Sequence, residues 1–212
     1  MTNISNNNKI EFCKFLNGDK SVQDMANFIY SQSDLEQQIG EETYLTLISL
    51  NVKDKYAGTI MSGLIQDKII EAGAFETWKL KKVLTDFLTQ PEKLDIHLDK
   101  IYQLYCGIYQ GDEPRKYEYT FLGNLALNFL YWTEKGYLET FYGDNWKSKY
   151  EEVTTKFEFY HKQLKGFATQ ILLAIDNKEI EILNDGTYTI TDELKRKLEP
   201  TTYYVLKEPN GE

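Results

Sequence analysis

The chain has 212 residues with 33 Asp and Glu against 24 Lys and Arg, a net charge of −9, four prolines and two cysteines. Apolar residues at 42% and aromatics at 14% exclude a disordered chain, which stays unfolded for want of apolar surface to bury. A packed core is therefore expected, needing neither disulfide nor metal at this length, in one large domain or two smaller ones.

Residues 1–8 are polar and asparagine-rich, with no cationic patch leading into an apolar run. No secretory leader is expected, and the predicted location is the cytoplasm. Ser21 with Asp24, and Ser33 with Glu36, each place a hydroxyl acceptor three residues before an acid, the pattern that opens a helix. Two short helices are predicted there, with Gly18 and Gly40 as terminators. Leu80, Val83, Leu84, Phe87 and Leu88 form an amphipathic stripe closed by Gln90-Pro91. Leu94, Leu98, Ile101, Tyr105 and Ile108 repeat it up to Gly111-Asp112-Glu113-Pro114, which reads as a loop.

Between Tyr119 and Trp132 the apolar residues surround the helical axis, which predicts a helix in the middle of the core. The apolar cluster at 125–132 contains Asn128 and is far shorter than the roughly 20 residues that span a bilayer, so no membrane partner is expected. From Tyr150 through Phe157, Leu164 and Ile171 to Ile175, helical spacing holds over about seven turns, predicting one long helix. Residues 179–183 and 187–191 alternate about Asn184-Asp185-Gly186, the signature of a β-hairpin. Thr191 then caps a short helix over 192–198, with acids in its first turn and Lys195, Arg196 and Lys197 toward its end. Pro91, Pro114, Pro200 and Pro209 fall where helices should end or a tail begin. The predicted class is mainly α, a multi-helix core with a small C-terminal β-hairpin. Its regions are 1–90 and 91–212, or one continuous domain.

Chemistry-bearing motifs are sparse. On a helix Asp95 and Asp99 share a face while His97 points away, so these three do not form a compact ligand set. His161 lies within the long helix with Phe157 and Lys165 as its i±4 neighbours, and reads as a solvated or satisfied histidine. Cys13 and Cys106 stand 93 positions apart without a CxxC pair and read as small hydrophobes. No phosphate loop, GxSxG elbow or HExxH motif occurs, and adjacent acids such as Glu151-Glu152 diverge on a helix. The expectation is no metal, no cofactor and no catalysis. The hairpin and its flanking helices also admit a winged-helix reading. The net charge opposes phosphate, and Lys195-Arg196-Lys197 is the one basic run, so no nucleic-acid partner is expected.

Charge patterning gives the more pointed indication. Residues 21–52 contain no Lys or Arg, while Asp24, Asp34, Glu36, Glu41 and Glu42 give the stretch a charge of −5. Tyr30 and Tyr44 lie among them, and tyrosine supplies contact area at low entropic cost. These seven residues are the candidate partner-binding set, because a patch of one sign speeds encounter with its opposite. The competing account makes the acids helix caps and the tyrosines core.

Phe15-Leu16-Asn17-Gly18, residues 25–30, residues 35–40 and residues 44–51 resemble a segment of immunity proteins from bacterial polymorphic toxin systems. In that pattern a Phe-Glu-x-Trp run and a Tyr precede a Leu-Glu pair, a Gly, and a Tyr followed by Leu-Ile. Met25, Ala26 and Phe28 stand here for the Phe, Glu and Trp. Residues 101–106, 121–127 and 168–182 are similar to the companion half of such proteins, so that the likeness covers about half the chain. The resemblance implies a cytosolic protein that binds and neutralises a cognate toxin domain without cofactor or turnover. An acidic surface then fits a basic toxin such as a nuclease. An adaptor or regulatory subunit of a larger bacterial assembly is the alternative from another class. The oligomeric state is open.

Overall fold

A computed structural model of the chain describes residues 4–110 and 113–209. The protein is mainly α-helical with small antiparallel hairpins. It divides into two compact units, one up to Lys79 and one from Leu80.

In the first unit, α1 (Asn6–Leu16) starts at Ser5, whose hydroxyl accepts the Asn8 N–H, and stops at Gly18, with φ +80°. α2 (Val22–Ser31) opens with the expected capping box. The Ser21 hydroxyl accepts the Asp24 N–H at 3.1 Å, and the Asp24 carboxylate accepts the Ser21 N–H at 3.3 Å. α3 (Leu35–Ile39) departs from expectation, because its N-cap is Asp34 rather than Ser33. Asp34 sits at φ −103°, ψ 0° and its carboxylate reaches forward to accept from Gln38 Nε2 at 2.6 Å, so no side chain caps the helix. Gly40, at φ +86°, turns the chain into α4 (Glu41–Ser49). α5 (Ala57–Lys68) buries Ala57, Met61 and Ile65 at four-residue spacing, with Gly, Thr and Ser between them blurring the stripe. Phe12, Met25, Ile29, Leu35, Met61 and Ile65 make the centre of this core.

α6 (Ala72–Thr89) carries the chain into the second unit and ends before a 3-10 turn at Pro91–Lys93. α7 (Leu94–Cys106) stops earlier than its stripe predicts. Gly107 adopts φ +65°, and a Cβ there would meet the Lys116 carbonyl at 2.8 Å and Glu118 Cα at 2.9 Å, so only glycine lets the chain fold back so tightly. Ile108 consequently belongs to strand β1 (Ile108–Gln110), paired with β2 (Glu113–Lys116). Glu113 and Pro114 are thus strand residues rather than loop. Gly111 and Asp112 lie outside the described residues.

The predicted core helix over 119–132 is instead a 3-10 turn (Thr120–Leu122), a single turn α8 (Gly123–Ala126) and another 3-10 turn (Tyr131–Thr133). Its burial is as expected for Phe121, Leu122, Leu125, Ala126 and Leu130, whereas Leu127 is exposed. Apolar residues on all sides report burial, not helical continuity.

After α9 (Lys135–Tyr142), the predicted long helix is two: α10 (Trp146–Thr154) and α11 (Phe157–Asp176). Thr154 and Thr155 donate their hydroxyls back to the carbonyls of Glu151 and Glu152, at 2.8 and 2.6 Å, competing with the helical ladder. The stripe does not register the break because Val153 and Phe157 keep their four-residue spacing. Strands β3 (Ile180–Ile182) and β4 (Tyr188–Ile190) form the expected hairpin, with Ile180 opposite Ile190 and Ile182 opposite Tyr188. Thr191 caps α12 (Asp192–Leu198). Among the described residues no helix is long and apolar enough to cross a membrane.

Both histidines are buried. His161 donates from Nε2 to the Phe87 carbonyl at 3.1 Å and lies 5.0 Å from the Phe87 ring. Among the described residues neither ring nitrogen of His97 has a hydrogen-bond partner. Burial holds both below the ordinary histidine value of 6.5, with Lys100 and Lys93 adding to the effect at His97 and Asp86 and Glu92 opposing it. Since the unfolded chain takes up these protons first, stability is complete above pH 6.5 and falls as the pH drops below it, by at most about 1.4 kcal/mol per pH unit per histidine. Urea titrations between pH 7.5 and 5 should show this decline, and His97→Leu should flatten it by removing an unpaired polar group. A variant with an unaltered slope would mean that His97 protonates alike in both states.

A second expectation concerns the turn after α7. Gly107→Ala should reduce stability by about 1–3 kcal/mol through positive φ and collision with main-chain atoms. Wild-type resistance to urea would show that the reversal is not held by that glycine.

Candidate functional site

In the first unit the exposed residues of α2 include Gln23, Asp24, Asn27, Tyr30 and Ser31, and those of α4 include Glu41, Glu42, Leu45, Thr46 and Ser49. Each set recurs at one-and-four spacing and therefore occupies one side of its helix. Tyr30 joins the two elements. The residue is 61% exposed, yet its hydroxyl donates to the Ile48 carbonyl of α4 at 2.8 Å, so an exposed tyrosine is held ordered in solvent.

Asp24, Asp34, Glu36, Glu41 and Glu42 are all exposed. Among the described residues no ion pair includes any of them, whereas Glu11 in the same unit is paired with both Lys14 and Lys20. Their roles differ. Asp24 is engaged by the Ser21 hydroxyl and N–H, which hold its carboxyl below the usual range, and Asp34 accepts from Gln38. Glu41 and Glu42 occupy the first turn of α4, where the helix dipole favours negative charge. Tyr44 differs from the other six, being half-buried and packed on the core.

The second unit carries exposed aromatic surface that sequence periodicity did not single out. Tyr131, Phe141 and Tyr142 are exposed, and Tyr137 links two of them, its ring 5.5 Å from Tyr131 and 4.5 Å from Phe141. The available signal was the i, i+4 pair Tyr137 and Phe141 on a helix that starts with Lys135 and Gly136. Nearby, a groove of about 430 Å³ is lined by Asp95, Asp99, Lys135, Trp146 and Tyr150. Asp95 and Asp99 share this groove while His97 of the same helix is buried, as helical geometry requires. The Tyr150 hydroxyl donates to Asp95 at 3.0 Å, and burial with that carboxylate pushes its pKa up to about 12. The Lys135 ammonium lies 5.6 Å from the Trp146 ring.

Elsewhere, Cys13 is buried and its thiol is pushed up to about 11 by that burial, an unreactive setting; Cys106 is half-buried. In the basic run of α12, Lys197 pairs with Glu193 at 2.7 Å and Lys195 approaches Glu199 at 3.9 Å, so two of its three cations meet acids of their own segment. Among the described residues no group of three His, Cys, Asp or Glu side chains is arranged to hold a metal ion. In comparisons with known proteins the chain matches no family model, no curated protein and no solved structure.

The acids of this face separate into structural and free. Ser21→Ala, which removes the cap, should lower stability by about 1 kcal/mol. Glu36→Gln and Glu42→Gln, which lose only a first-turn charge that the helix dipole favours, should cost less, about 0.3–0.5 kcal/mol. Thermal denaturation of the three variants decides the matter; a loss at either Gln as large as that of Ser21→Ala would show that carboxylate to be part of the fold.

Proposed function

We propose that the protein is a non-catalytic, cytoplasmic binding protein of the immunity type, which neutralises a cognate basic toxin domain by presenting the acidic face of α2, α3 and α4. What carries this reading is the exposure of Glu36, Glu41 and Glu42, none in an ion pair among the described residues, together with a Tyr30 side chain ordered in solvent. Unpaired carboxylates keep their full field, which raises the rate of encounter with a cationic surface, and an immobilised tyrosine loses little entropy on contact. A nuclease-type toxin would present such a cationic surface, and covering it would block its substrate.

The exposed aromatics around Tyr131 and Phe141 favour a second reading, an adaptor with a further partner on its other unit. Affinity capture from the native host distinguishes the two. A single small basic protein retained by the wild type and lost from the Glu36→Lys, Glu41→Lys, Glu42→Lys triple variant is the expected result. With the captured protein in hand, the triple variant should associate at least about tenfold more slowly at low salt. Unchanged rate and salt sensitivity would remove the acidic face from the interface, and a multi-subunit assembly retained by both would favour the adaptor.

A further inference from the structure

Beyond α12 the chain runs without regular secondary structure across its own unit, and three side-chain amides read its main chain. Asn128 Nδ2 donates to the Tyr204 carbonyl at 2.9 Å while its Oδ1 accepts the Leu206 N–H at 2.7 Å. Asn124 Oδ1 accepts the Tyr204 N–H at 2.8 Å. Gln163 of α11 donates to the Lys207 carbonyl and accepts the Lys207 N–H, both at 3.0 Å. Asn128 and Gln163 each make the donor-and-acceptor pair that a neighbouring β-strand residue would make. Asn124 and Asn128 are buried, at 4% and 6% exposure, so these amides are built into the floor rather than scattered on the surface.

The side chains of the segment are used unevenly. The Tyr203 ring lies on the bare backbone of Gly123, so close that a Cβ there would stand 2.2 Å from it. Tyr204 packs against Phe167 at 5.6 Å and donates its hydroxyl to Gln163 at 2.6 Å, and Leu206 is half-buried on the core. Val205 is 73% exposed and Lys207 is exposed. Glu208 closes the far end, accepting from the Tyr160 hydroxyl at 2.7 Å and pairing with Lys156 at 3.2 Å. At the near end Glu199 is held by the hydroxyls of Tyr188 and Thr120, at 2.6 and 2.7 Å, and the exposed Thr201 and Thr202 follow. The segment is thus attached at two carboxylates and read between them chiefly through its backbone.

We propose that the surface formed by α8, Asn128 and α11 is a binding site for an extended peptide, which the chain's own residues 203–208 fill in cis and which a protein partner's extended segment can occupy in their place. The ligand class follows from the resident: two adjacent aromatics, a free position, an aliphatic residue, a second free position and a carboxylate. Main-chain readout by fixed amides, with pockets for some side chains only, is the division of labour by which strand-like peptides are recognised. The inference is independent of the acidic face of α2–α4.

The test uses the full chain. The probe is a fluorescein-labelled peptide with the sequence of residues 200–209, followed by anisotropy. Wild type should bind it weakly, because the tethered segment competes at millimolar effective concentration. A chain carrying Tyr203→Ala and Leu206→Ala, which loosens the resident and leaves the site intact, should bind it at least about tenfold more tightly, and adding Asn128→Ala should abolish the gain. Equal binding by wild type and the loosened chain, or a gain that survives Asn128→Ala, overturns the proposal. Hydrogen exchange of the unaltered protein supplies a readout that no folding defect can confuse. The amides of Tyr204, Leu206 and Lys207 should exchange well ahead of those of Leu164 to Ile171 in α11, and exchange at the same rate as α11 would make the segment an inseparable part of the core. A dimer formed by wild type through exchanged tails would place a second copy in the site and overturn the choice of partner.

Discussion

A buried amide must find hydrogen-bond partners, because leaving one unsatisfied forfeits the water it gave up. In the unit from Leu80 onward that requirement organises the path of the chain. Asn124 and Asn128 lie within an otherwise apolar stretch, among Phe121, Leu125 and Leu130, all fully buried. Asn128 Nδ2 donates to the Asn124 carbonyl at 2.9 Å and also to the Tyr204 carbonyl, while the Oδ1 atoms of both asparagines accept from backbone that arrives from about 80 residues later. The segment at 203–208 therefore supplies partners to these two amides as well as adding Tyr204 and Leu206 to the apolar packing.

The first unit works on a different balance. Its core is wholly aliphatic, aromatic and sulfur-bearing at the centre, and polar groups are met at its helix ends, by the Ser5 and Ser21 caps, by the positive-φ glycines at 18 and 40, and by Gln38, whose Oε1 accepts from the buried Asn8 Nδ2 at 3.0 Å. Nothing in its interior takes up the acids of α3 and α4, which are exposed and, among the described residues, in no ion pair. A surface whose charges are not consumed by the fold is available for recognition, and in this respect Glu36, Glu41 and Glu42 differ from Asp24, whose carboxylate is already committed to the cap. Tyr30 combines the two behaviours, with its hydroxyl used inside the unit and its ring left outside.

Several local interactions were legible in the sequence, each with all its partners inside one short stretch, although the Ser33–Glu36 pattern did not make the cap it suggested. The Ser21–Asp24 capping box, the hairpin about Gly186, the Thr191 cap and the halt at Gln90-Pro91 each involve residues within a few positions of one another, and each is present. The helix break at Thr155 was hidden because the apolar spacing continues across it and no proline or glycine marks it. The reversal at Gly107 was hidden because a single glycine at the end of a stripe does not reveal that the Lys116 carbonyl will stand 2.8 Å from where its Cβ would be. Exposure of the candidate acids was legible, since charge stays in water. Their lack of ion pairs was not, since it depends on where every lysine of the unit ends up.

The amino-acid sequence by itself determined the class of the protein, mainly helical with a C-terminal hairpin, and the acidic stretch at 21–52, because periodicity, caps and charge are properties of neighbours along the chain. Only the tertiary structure decided that two cores form, that the apolar run at 119–132 is buried without being one helix, and that residues 203–208 lie on three amides. Those outcomes rest on contacts between residues from about 20 positions apart, as between α7 and α8, to 80 apart, as between Asn124 and Tyr204, and no local pattern records which distant backbone will satisfy a given buried group.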